Sequence, residues 1–172
     1  MHDLYMHSPY DAPIVTSAPP LAALAATAPI GAPLLGRGVS RTLAQLGYAS
    51  LIEFPLANGR RADVLALGRG GELIIVEIKR SVADFRADRK WPAYREFADR
   101  LYFALASGFP TALIPEECGL MVADAFDAAV LRDGRASPLG AARRRALTLR
   151  FARLAAARLR RSIDPDGHLD GI

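Results

Sequence analysis

Hydrophobic residues recur along the chain first at helical spacing and then in short runs typical of strands. Val39, Leu43 and Leu46 lie on one side of a helix predicted over residues 36–47, which ends at Gly47. Three apolar runs follow, each bounded by glycine or polar residues and each as long as a buried strand. We predict strands over residues 49–56, 60–67 and 72–79.

The second half of the chain predicts two long helices with short strands between them. Pro92 suits the first turn of a helix that reaches about Ser107, and Pro138 opens a second helix that continues to Arg161. The first helix is expected to bury Phe97, Ala98, Leu101, Tyr102 and Leu105. The second is expected to bury Leu139, Ala142, Ala146, Leu149 and Leu154, with Phe151 as a further candidate for the buried side. Short strands are expected over residues 111–114, over residues 119–123 and near Val130.

This alternation of strands and helices indicates an α/β fold in which one mixed central sheet is flanked by helices, with the order αβββαβ at its start. The length of 172 residues is typical of a single domain. We assign that domain to residues 36–161, between a disordered Ala- and Pro-rich tail over residues 1–35 and a C-terminal tail over residues 162–172. An ordered element around residues 21–28 (LAALAATA) is the alternative for the first tail.

Composition excludes several kinds of protein. No apolar run approaches the roughly 18 residues that a membrane-spanning helix needs. Residues 1–35 lack the positive charge and the continuous apolar core of a secretory signal. The single cysteine, Cys118, rules out an internal disulfide and a cysteine-rich zinc site. We therefore expect no membrane association and a location in the reducing cytoplasm.

Positive charge is concentrated in one segment. The formal net charge is +4, and residues 137–161 contain eight arginines and no acidic residue. Arg143 and Arg150 lie on one broad side of the helix predicted there. Clustered arginine indicates a polyanionic partner such as DNA, but a solvated helix face would give the same pattern. Both interpretations stay open at this point.

Asp63, Glu77 and Lys79 interrupt two otherwise apolar predicted strands. Residues two apart in a strand share a face, so Glu77 and Lys79 point the same way. A three-residue loop at residues 69–71 would place Asp63 opposite Glu77, with their Cβ atoms about 5 Å apart. The spacing therefore predicts a pair of carboxylates with an ammonium beside it.

Two buried carboxylates at this distance repel each other. A shared proton, the ammonium of Lys79 or a divalent cation would relieve the repulsion. Mg²⁺ commonly binds one or two carboxylates together with a substrate phosphate. Asp63 and Glu77 as metal ligands, with Lys79 near the attacking water, are the groups that metal-assisted phosphodiester hydrolysis needs. The alternative is a solvated sheet edge with an ordinary ion pair.

The arrangement resembles the PD-(D/E)xK phosphodiesterase superfamily of restriction and repair nucleases. Asp63 lies on the second strand, and Glu77 and Lys79 form the (D/E)xK motif on the third. Ala62 stands where the motif name has proline, and the first predicted helix lacks the acid that many members carry. Glu53, on the first strand, is the nearby substitute for that metal ligand. The resemblance implies catalysis at these positions with Mg²⁺ or Mn²⁺ as cofactor.

A more specific resemblance is to the MmcB-type DNA-repair endonucleases of bacteria. It rests on GRRADVLAL, VEIKRSVADFRADRKWPAYREFADRLYFAL, FPTALIPEECGLMVADA and AARRRALTLRFARLAAARL, all within residues 36–160. It implies a role in repairing damaged DNA, with DNA and other repair proteins as partners. The main alternative is a catalytically inactive DNA-binding accessory module on the same fold. A third interpretation is an interaction protein whose arginine helix docks on an acidic partner. The oligomeric state is left open.

Further residues are candidates for contacting DNA. Arg60 and Arg61 precede the second-strand aspartate and could hold phosphates, or could be solvated turn residues. Lys90, Trp91 and Tyr94 could face DNA, since aromatic rings stack on bases. The alternative for this stretch is that it makes local ion pairs and begins a helix.

Overall fold

The computed structural model describes residues 31–166. Within these residues the chain forms six strands, three α-helices and two 3₁₀ helices. In chain order these are α1 (Ala32–Gln45), β1 (Ala49–Pro55), β2 (Arg61–Leu67), β3 (Leu73–Lys79), α2 (Val82–Ala87), a long 3₁₀ helix (Trp91–Phe97), β4 (Arg100–Ala106), a short 3₁₀ helix (Thr111–Leu113), β5 (Gly119–Ala123), β6 (Ala128–Arg132) and α3 (Ala141–Ile163). None of the helices within these residues combines the length and hydrophobicity needed to cross a bilayer.

The six strands form one mixed sheet in the order β1-β2-β3-β4-β5-β6. β1, β2 and β3 pair antiparallel, β3, β4 and β5 pair in parallel, and β6 returns antiparallel to β5. A parallel pair needs a crossover connection, which α2 and the long 3₁₀ helix supply between β3 and β4. Helices cover both faces of the sheet, and β3 is therefore buried along its whole length.

Two hydrophobic clusters lie on opposite faces of the sheet. On one face α1 packs Leu35, Val39 and Leu43 against alternate side chains of the central strands. Gly38 of α1 lies so close to the β5–β6 turn that a Cβ there would come within 2.3 Å of the carbonyl oxygen of Asp124. The other face is covered by α2, by the long 3₁₀ helix and by α3. α1 begins at Ala32, so its first four residues lie within the stretch that the sequence assigned to the tail.

The register of the β2–β3 hairpin agrees with the prediction from sequence. Val64 pairs with Val76, and Leu67 pairs with Leu73. Gly71 has a φ of 85°, which closes the three-residue loop in a conformation that glycine adopts without strain. Continuing this register by one residue brings Asp63 opposite Glu77.

The helix predicted from Pro92 to Ser107 is wrong. Residues 91–97 form a 3₁₀ helix, and residues 100–106 form β4, a parallel strand in the middle of the sheet. The residues of the expected buried stripe are buried, but a parallel strand covered on both faces is apolar throughout. A short apolar run of this kind cannot be distinguished from a buried helix by periodicity alone.

Smaller boundary predictions also need correction. Residues 111–113 form a 3₁₀ helix rather than a strand, whereas the strands over residues 119–123 and near Val130 are present. α3 begins at Ala141 and ends at Ile163, so it extends into the predicted C-terminal tail. Its buried side chains are Leu147 and Phe151, and Leu149 is exposed. The alternative element around residues 21–28 lies outside the described residues.

Candidate functional site

The hairpin brings Asp63 and Glu77 together on the face of the sheet that α3 covers. The backbone N–H of Asp63 donates to Oε1 of Glu77 at 3.2 Å. In return the backbone N–H of Ile78 donates to Oδ2 of Asp63 at 2.8 Å. Each carboxylate therefore accepts a hydrogen bond from the other strand, and the hydrogen bonds hold both side chains at the point where the two strands begin to separate.

Burial makes the two carboxylates unusual acids. Glu77 is only 3 % exposed, and burial, with the charge of Asp63 next in size, raises its pKa to about 8. Burial also raises the pKa of Asp63, against the opposing effects of the Ile78 amide and the Lys79 ammonium. Glu77 therefore holds a proton near neutral pH when no cation is bound. Strongly shifted acids in a polar cluster are typical of functional sites.

Lys79 lies in the same cluster, and its main partner is a residue that the sequence did not single out. Its buried Nζ lies 2.6 Å from Oδ2 of Asp88 and 3.9 Å from Oε2 of Glu77. Burial alone would raise the pKa of Asp88, but the hydrogen bond from Lys79 and the Lys90 amide lower it. Asp88 therefore stays ionised and fixes the ammonium beside the carboxylate pair.

Local structure explains how Asp88 reaches Lys79. Ser81 caps α2, and its hydroxyl accepts from the backbone N–H of Asp84 at 3.1 Å. α2 is only six residues long, and Asp88 directly follows its last residue; Oδ1 of Asp88 accepts from the backbone N–H of Lys90 at 2.8 Å. The sequence placed Asp88 in a stretch expected to make local ion pairs, but it did not connect Asp88 to Lys79, because this contact depends on the fold of the crossover.

The oxygens that could ligate a metal are Oδ1 of Asp63 and Oε2 of Glu77, because the other oxygen of each carboxylate accepts a backbone hydrogen bond. This donor set suits Mg²⁺, which prefers oxygen ligands and takes the rest from water and phosphate. Residues 31–166 contain no group of three or more His, Cys, Asp or Glu side chains arranged to hold a metal ion. Two protein carboxylates are therefore the donors that this part of the chain offers.

Glu53, expected as a third ligand, lies near the pair but apart from it. Its neighbours in β1, Ile52 and Phe54, pair with Val64 and Ala62 of β2. The register therefore places Glu53 beside Asp63, which lies between those two residues of β2. Its carboxylate is exposed and forms an ion pair with Arg61 at 3.4 Å. Its backbone has a φ of 52°, a conformation that non-glycine residues rarely adopt. The guanidinium of Arg158 from α3 donates to its carbonyl oxygen at 3.2 Å and helps to hold it.

The residues near the site that the sequence predicts to contact DNA also contact one another. Arg60 donates to the carbonyl oxygen of Lys90 at 2.6 Å. Arg61 is exposed and forms an ion pair with Glu53. Tyr94 is buried, and its hydroxyl donates to the carbonyl oxygen of Arg61 at 3.2 Å. Burial, followed by the charges of the acidic cluster, raises the pKa of Tyr94 to about 12.

The two aromatic residues of this stretch differ in how deeply they are buried, since Tyr94 is buried and Trp91 is half-buried. Trp91 packs edge-on against Phe103, with the ring centroids 5.6 Å apart. Tyr94 belongs to the hydrophobic cluster under α3. Base stacking by Tyr94, suggested by the sequence, does not fit its burial, whereas a DNA contact by Trp91 stays a prediction.

Arginines of α3 divide into structural and solvent-facing groups. Arg144 forms a bidentate ion pair with the buried Asp99, with both N–O distances 2.7 Å. Asp99 also accepts from the backbone N–H groups of Leu73 and Leu139, so this ion pair joins α3 to the start of β3 and β4. Burial alone would raise the pKa of Asp99, and Arg144 with these amides lowers it. Arg144 is therefore a structural residue.

Arg143 and Arg150 line a groove of about 1180 Å³ between α3, the long 3₁₀ helix and the β1–β2 turn. Arg143 is partly engaged, since it donates to the carbonyl oxygen of Glu96 at 2.9 Å and lies over the ring of Phe97 at 5.7 Å. Arg150 makes no ion pair with any of the described residues. The turn residue Asn58 lies at the same groove, which therefore extends from α3 toward the strand that carries Asp63.

Comparisons with known proteins place the chain among its relatives. A solved structure of a protein of unknown function from Silicibacter pomeroyi shares 45 % sequence identity with it and superposes with a TM-score of 0.77, over 80 % of this chain and 94 % of the other. No curated protein matches the chain. The family described as DNA repair protein MmcB-like matches residues 23–166, which is most of the sequence. The protein belongs to the MmcB-like family of DNA repair proteins.

Proposed function

We propose that this protein is a Mg²⁺-dependent DNA endonuclease that hydrolyses phosphodiester bonds during DNA repair, with Mn²⁺ able to replace Mg²⁺. Membership of the MmcB-like family implies a role related to DNA repair. The observation that carries the finer proposal is the pair formed by the buried Glu77 and the half-buried Asp63, each hydrogen-bonded to the other's strand, with the ammonium of Lys79 3.9 Å from Glu77. A protein that only binds DNA has no evident use for two adjacent carboxylates, one of them buried, that repel both each other and a phosphate.

The element order and the positions of these residues support a PD-(D/E)xK assignment. Asp63 lies near the start of β2, which follows one helix and one strand in the chain. Glu77 and Lys79 lie at the end of the next strand, β3. α1 contains no acidic residue, so the metal ligands in this proposal come from β2 and β3. The 45 % identical neighbour has no known function and adds support for the fold alone.

Each residue has a separate task in the proposed reaction. Asp63 and Glu77 would hold the metal through Oδ1 and Oε2, and Glu77 must first lose the proton that its raised pKa retains. Mg²⁺, when bound, would polarise a phosphoryl oxygen and make a bound water more acidic. Lys79 would orient that water and donate to the oxygen on which negative charge develops. Asp88 would hold the ammonium in place.

DNA would approach across the groove beside α3. Arg150 and Arg143 line it, and Arg60 and Arg61 follow closely in the chain after Asn58, which also lines it. Such arginines would contact phosphates and add affinity without reading sequence. The groove thus offers a basic path to the acidic site, which would otherwise repel a polyanion.

A second candidate function is a DNA-binding accessory module whose catalytic residues are structural. The Lys79–Asp88 ion pair favours it, because an ammonium fully held by a carboxylate has less freedom to act on substrate. The limited donor set among residues 31–166 favours it too. On this interpretation the Asp63–Glu77 pair would share a proton and stabilise the hairpin end.

Cleavage assays separate the two candidates. Purified protein is incubated with nicked, single-stranded, branched and duplex DNA, with and without Mg²⁺ or Mn²⁺. The endonuclease proposal predicts metal-dependent cleavage of at least one substrate, abolished in Glu77→Ala and Lys79→Ala and kept in Glu116→Ala, an exposed glutamate on another loop. DNA binding without cleavage of any substrate in either metal would support the accessory module, and cleavage at the wild-type rate by both variants would place the chemistry elsewhere.

A further inference from the structure

The outward side of α3 carries an apolar stripe that no described residue covers. Leu149 is 55 % exposed, Leu159 61 % and Ile163 75 %. Ala152 and Ala156 are also exposed and continue the stripe between them. These five residues are separated alternately by three and four positions, the heptad spacing of a helix that packs against another helix. The stripe is about 20 Å long, at 1.5 Å per residue.

This stripe is distinct from the two other sides of the helix. The core side carries Leu147 and Phe151, roughly opposite Leu149 at 100° per residue. The side that carries Arg143 and Arg150 lies between the core side and the stripe and faces the groove. Packing against the sheet and binding along the groove would therefore both leave the stripe open.

Positive charge borders the stripe without any matching negative charge. Arg153 and Arg160 lie side by side along one edge of the stripe at 100° per residue, and neither forms an ion pair with another described residue. Residues 134–163 contain no Asp or Glu at all. A shallow hollow of about 180 Å³ lies beside the stripe, lined by Arg153, Ala156, Ala157 and Arg160. Residues at this i, i+3, i+4, i+7 spacing form the holes that receive side chains in knobs-into-holes packing.

We propose that this face of α3 docks an amphipathic helix of a partner protein, with a leucine-type stripe bordered by Glu or Asp. The apolar residues would bury against the partner's stripe, and its acids would meet Arg153 and Arg160. Carboxylates at such flanking positions set partner choice in helix pairs. The proposal concerns a surface apart from the carboxylate site, so it does not depend on the proposed nuclease activity.

A second copy of the chain fits the face less well than an acidic helix. Pairing α3 with itself would bring arginine-bordered stripes together with no acidic residue on either helix to meet them. DNA is also a poorer occupant, because phosphates gain nothing from Leu149, Leu159 and Ile163. An acidic helix satisfies both the apolar and the charged parts of the surface.

The test uses the full-length protein and two synthetic peptides about three heptads long. Both have leucine and alanine along one stripe; one has Glu and the other Lys at the flanking positions. Fluorescence anisotropy should show that the Glu-flanked peptide binds at least roughly tenfold more tightly than the Lys-flanked one. Repulsion between its own glutamates keeps the Glu-flanked peptide monomeric at neutral pH, so its binding reports on α3.

Variants then locate the binding surface. Leu159→Gln with Ile163→Gln should weaken the Glu-flanked peptide at least roughly tenfold, whereas Leu113→Gln with Leu131→Gln, two exposed leucines elsewhere, should not. Arg153→Glu with Arg160→Glu should reverse the preference toward the Lys-flanked peptide. All six positions are exposed, so the folded state should tolerate the changes, and circular dichroism checks this.

The proposal would be overturned if the two peptides bound equally tightly. It would also be overturned if the substitutions at Leu159 and Ile163, or at Arg153 and Arg160, left peptide binding unchanged. A dimer in sedimentation that Leu159→Gln with Ile163→Gln dissociates would assign the face to a second copy. Loss of thermal stability in that variant would assign it to a segment of the chain outside residues 31–166. Loss of DNA affinity in the same variant would assign it to nucleic acid.

Discussion

The Nζ atom of Lys79 lies 2.6 Å from Oδ2 of Asp88, a residue that reaches it from the end of α2. The lysine of the proposed site is thus held from outside the hairpin that carries it. This ion pair fixes the buried ammonium beside the carboxylate of Glu77, which lies 3.9 Å from it.

Removing the charge of Asp88 should alter the pH dependence of the site as well as its rate. In Asp88→Asn the Glu77 carboxylate loses a negative neighbour and keeps Lys79 near it, so its pKa should fall. We expect metal-dependent cleavage to begin at a lower pH and to reach a lower maximum than in the wild type. A pH–rate profile measures this, with Glu116→Gln as control. An unchanged profile would show that Asp88 has no part in positioning Lys79.

Glu77 should make the protein less stable as the pH rises. Its pKa is about 8 in the folded protein, whereas an unfolded glutamate ionises near about 4.3. Between these values the folded state holds a proton that the unfolded state has lost, so the free energy of unfolding falls with increasing pH. The stability that protonated Glu77 contributes to the folded state is fully present below about pH 4.3 and is lost as the pH rises to about 8.

Glu77→Gln should remove most of this slope. Urea denaturation between about pH 5 and about pH 8 should show a smaller loss of stability in the variant, by an amount on the order of a few kcal/mol. Glu116→Gln, at an exposed position, should keep the wild-type slope. The same slope in Glu77→Gln as in the wild type would mean that Glu77 ionises normally in the folded protein.

Arg150 should contribute to DNA affinity in a salt-dependent way. It lines the groove beside α3 without an ion pair among the described residues, whereas Arg143 is partly engaged by Glu96 and Phe97. Neutralising both to Gln should weaken binding to any DNA alike and reduce the slope of log K against log salt by about 1 to 2. Arg150→Gln alone should account for most of that change.

The matched control for this measurement lies on the outward side of the same helix. Arg153→Gln with Arg160→Gln removes two charges from α3 but leaves the groove intact. We expect it to change the salt slope much less. Equal effects of the two double variants would mean that α3 acts only through its total charge, and no effect of either would remove the helix from the DNA-binding surface.

Arg144 should matter for stability rather than for DNA. Arg144→Met would leave the carboxylate of Asp99 buried without its bidentate partner, and loss of one member of a buried ion pair costs about 3–5 kcal/mol. Arg145→Met, next in sequence and exposed, should cost little. Urea denaturation of the two variants compares them directly, and equal stabilities would show that the Asp99 cluster does not anchor α3.

The parts of the structure that local pattern determines could be predicted from the sequence. A glycine-closed loop and period-two alternation specify the β2–β3 register, and so the position of Asp63 beside Glu77. Long-range packing determines the rest. β4 was predicted as a helix because a strand buried on both faces has no alternation to reveal it.

Neighbouring residues on α3 show the same limit. Three consecutive arginines of α3 have different environments. Arg143 lies over the ring of Phe97, Arg144 forms an ion pair with the buried Asp99, and Arg145 is exposed. Because alanine is frequent in α3, the helical period is compatible with several apolar faces. For this reason Leu149 was predicted to be buried, whereas in the structure Leu147 is buried and Leu149 is exposed. The orientation of α3 is set by Asp99 and the sheet, which no local pattern encodes.

The most direct test of the proposed metal site is anomalous diffraction from crystals soaked in Mn²⁺ above about pH 8, where Glu77 is ionised. The account predicts an anomalous peak within bonding distance of both Oδ1 of Asp63 and Oε2 of Glu77, and no such peak in crystals of Glu77→Gln. A wild-type crystal with no peak at this position, or with one that persists in Glu77→Gln, would contradict it.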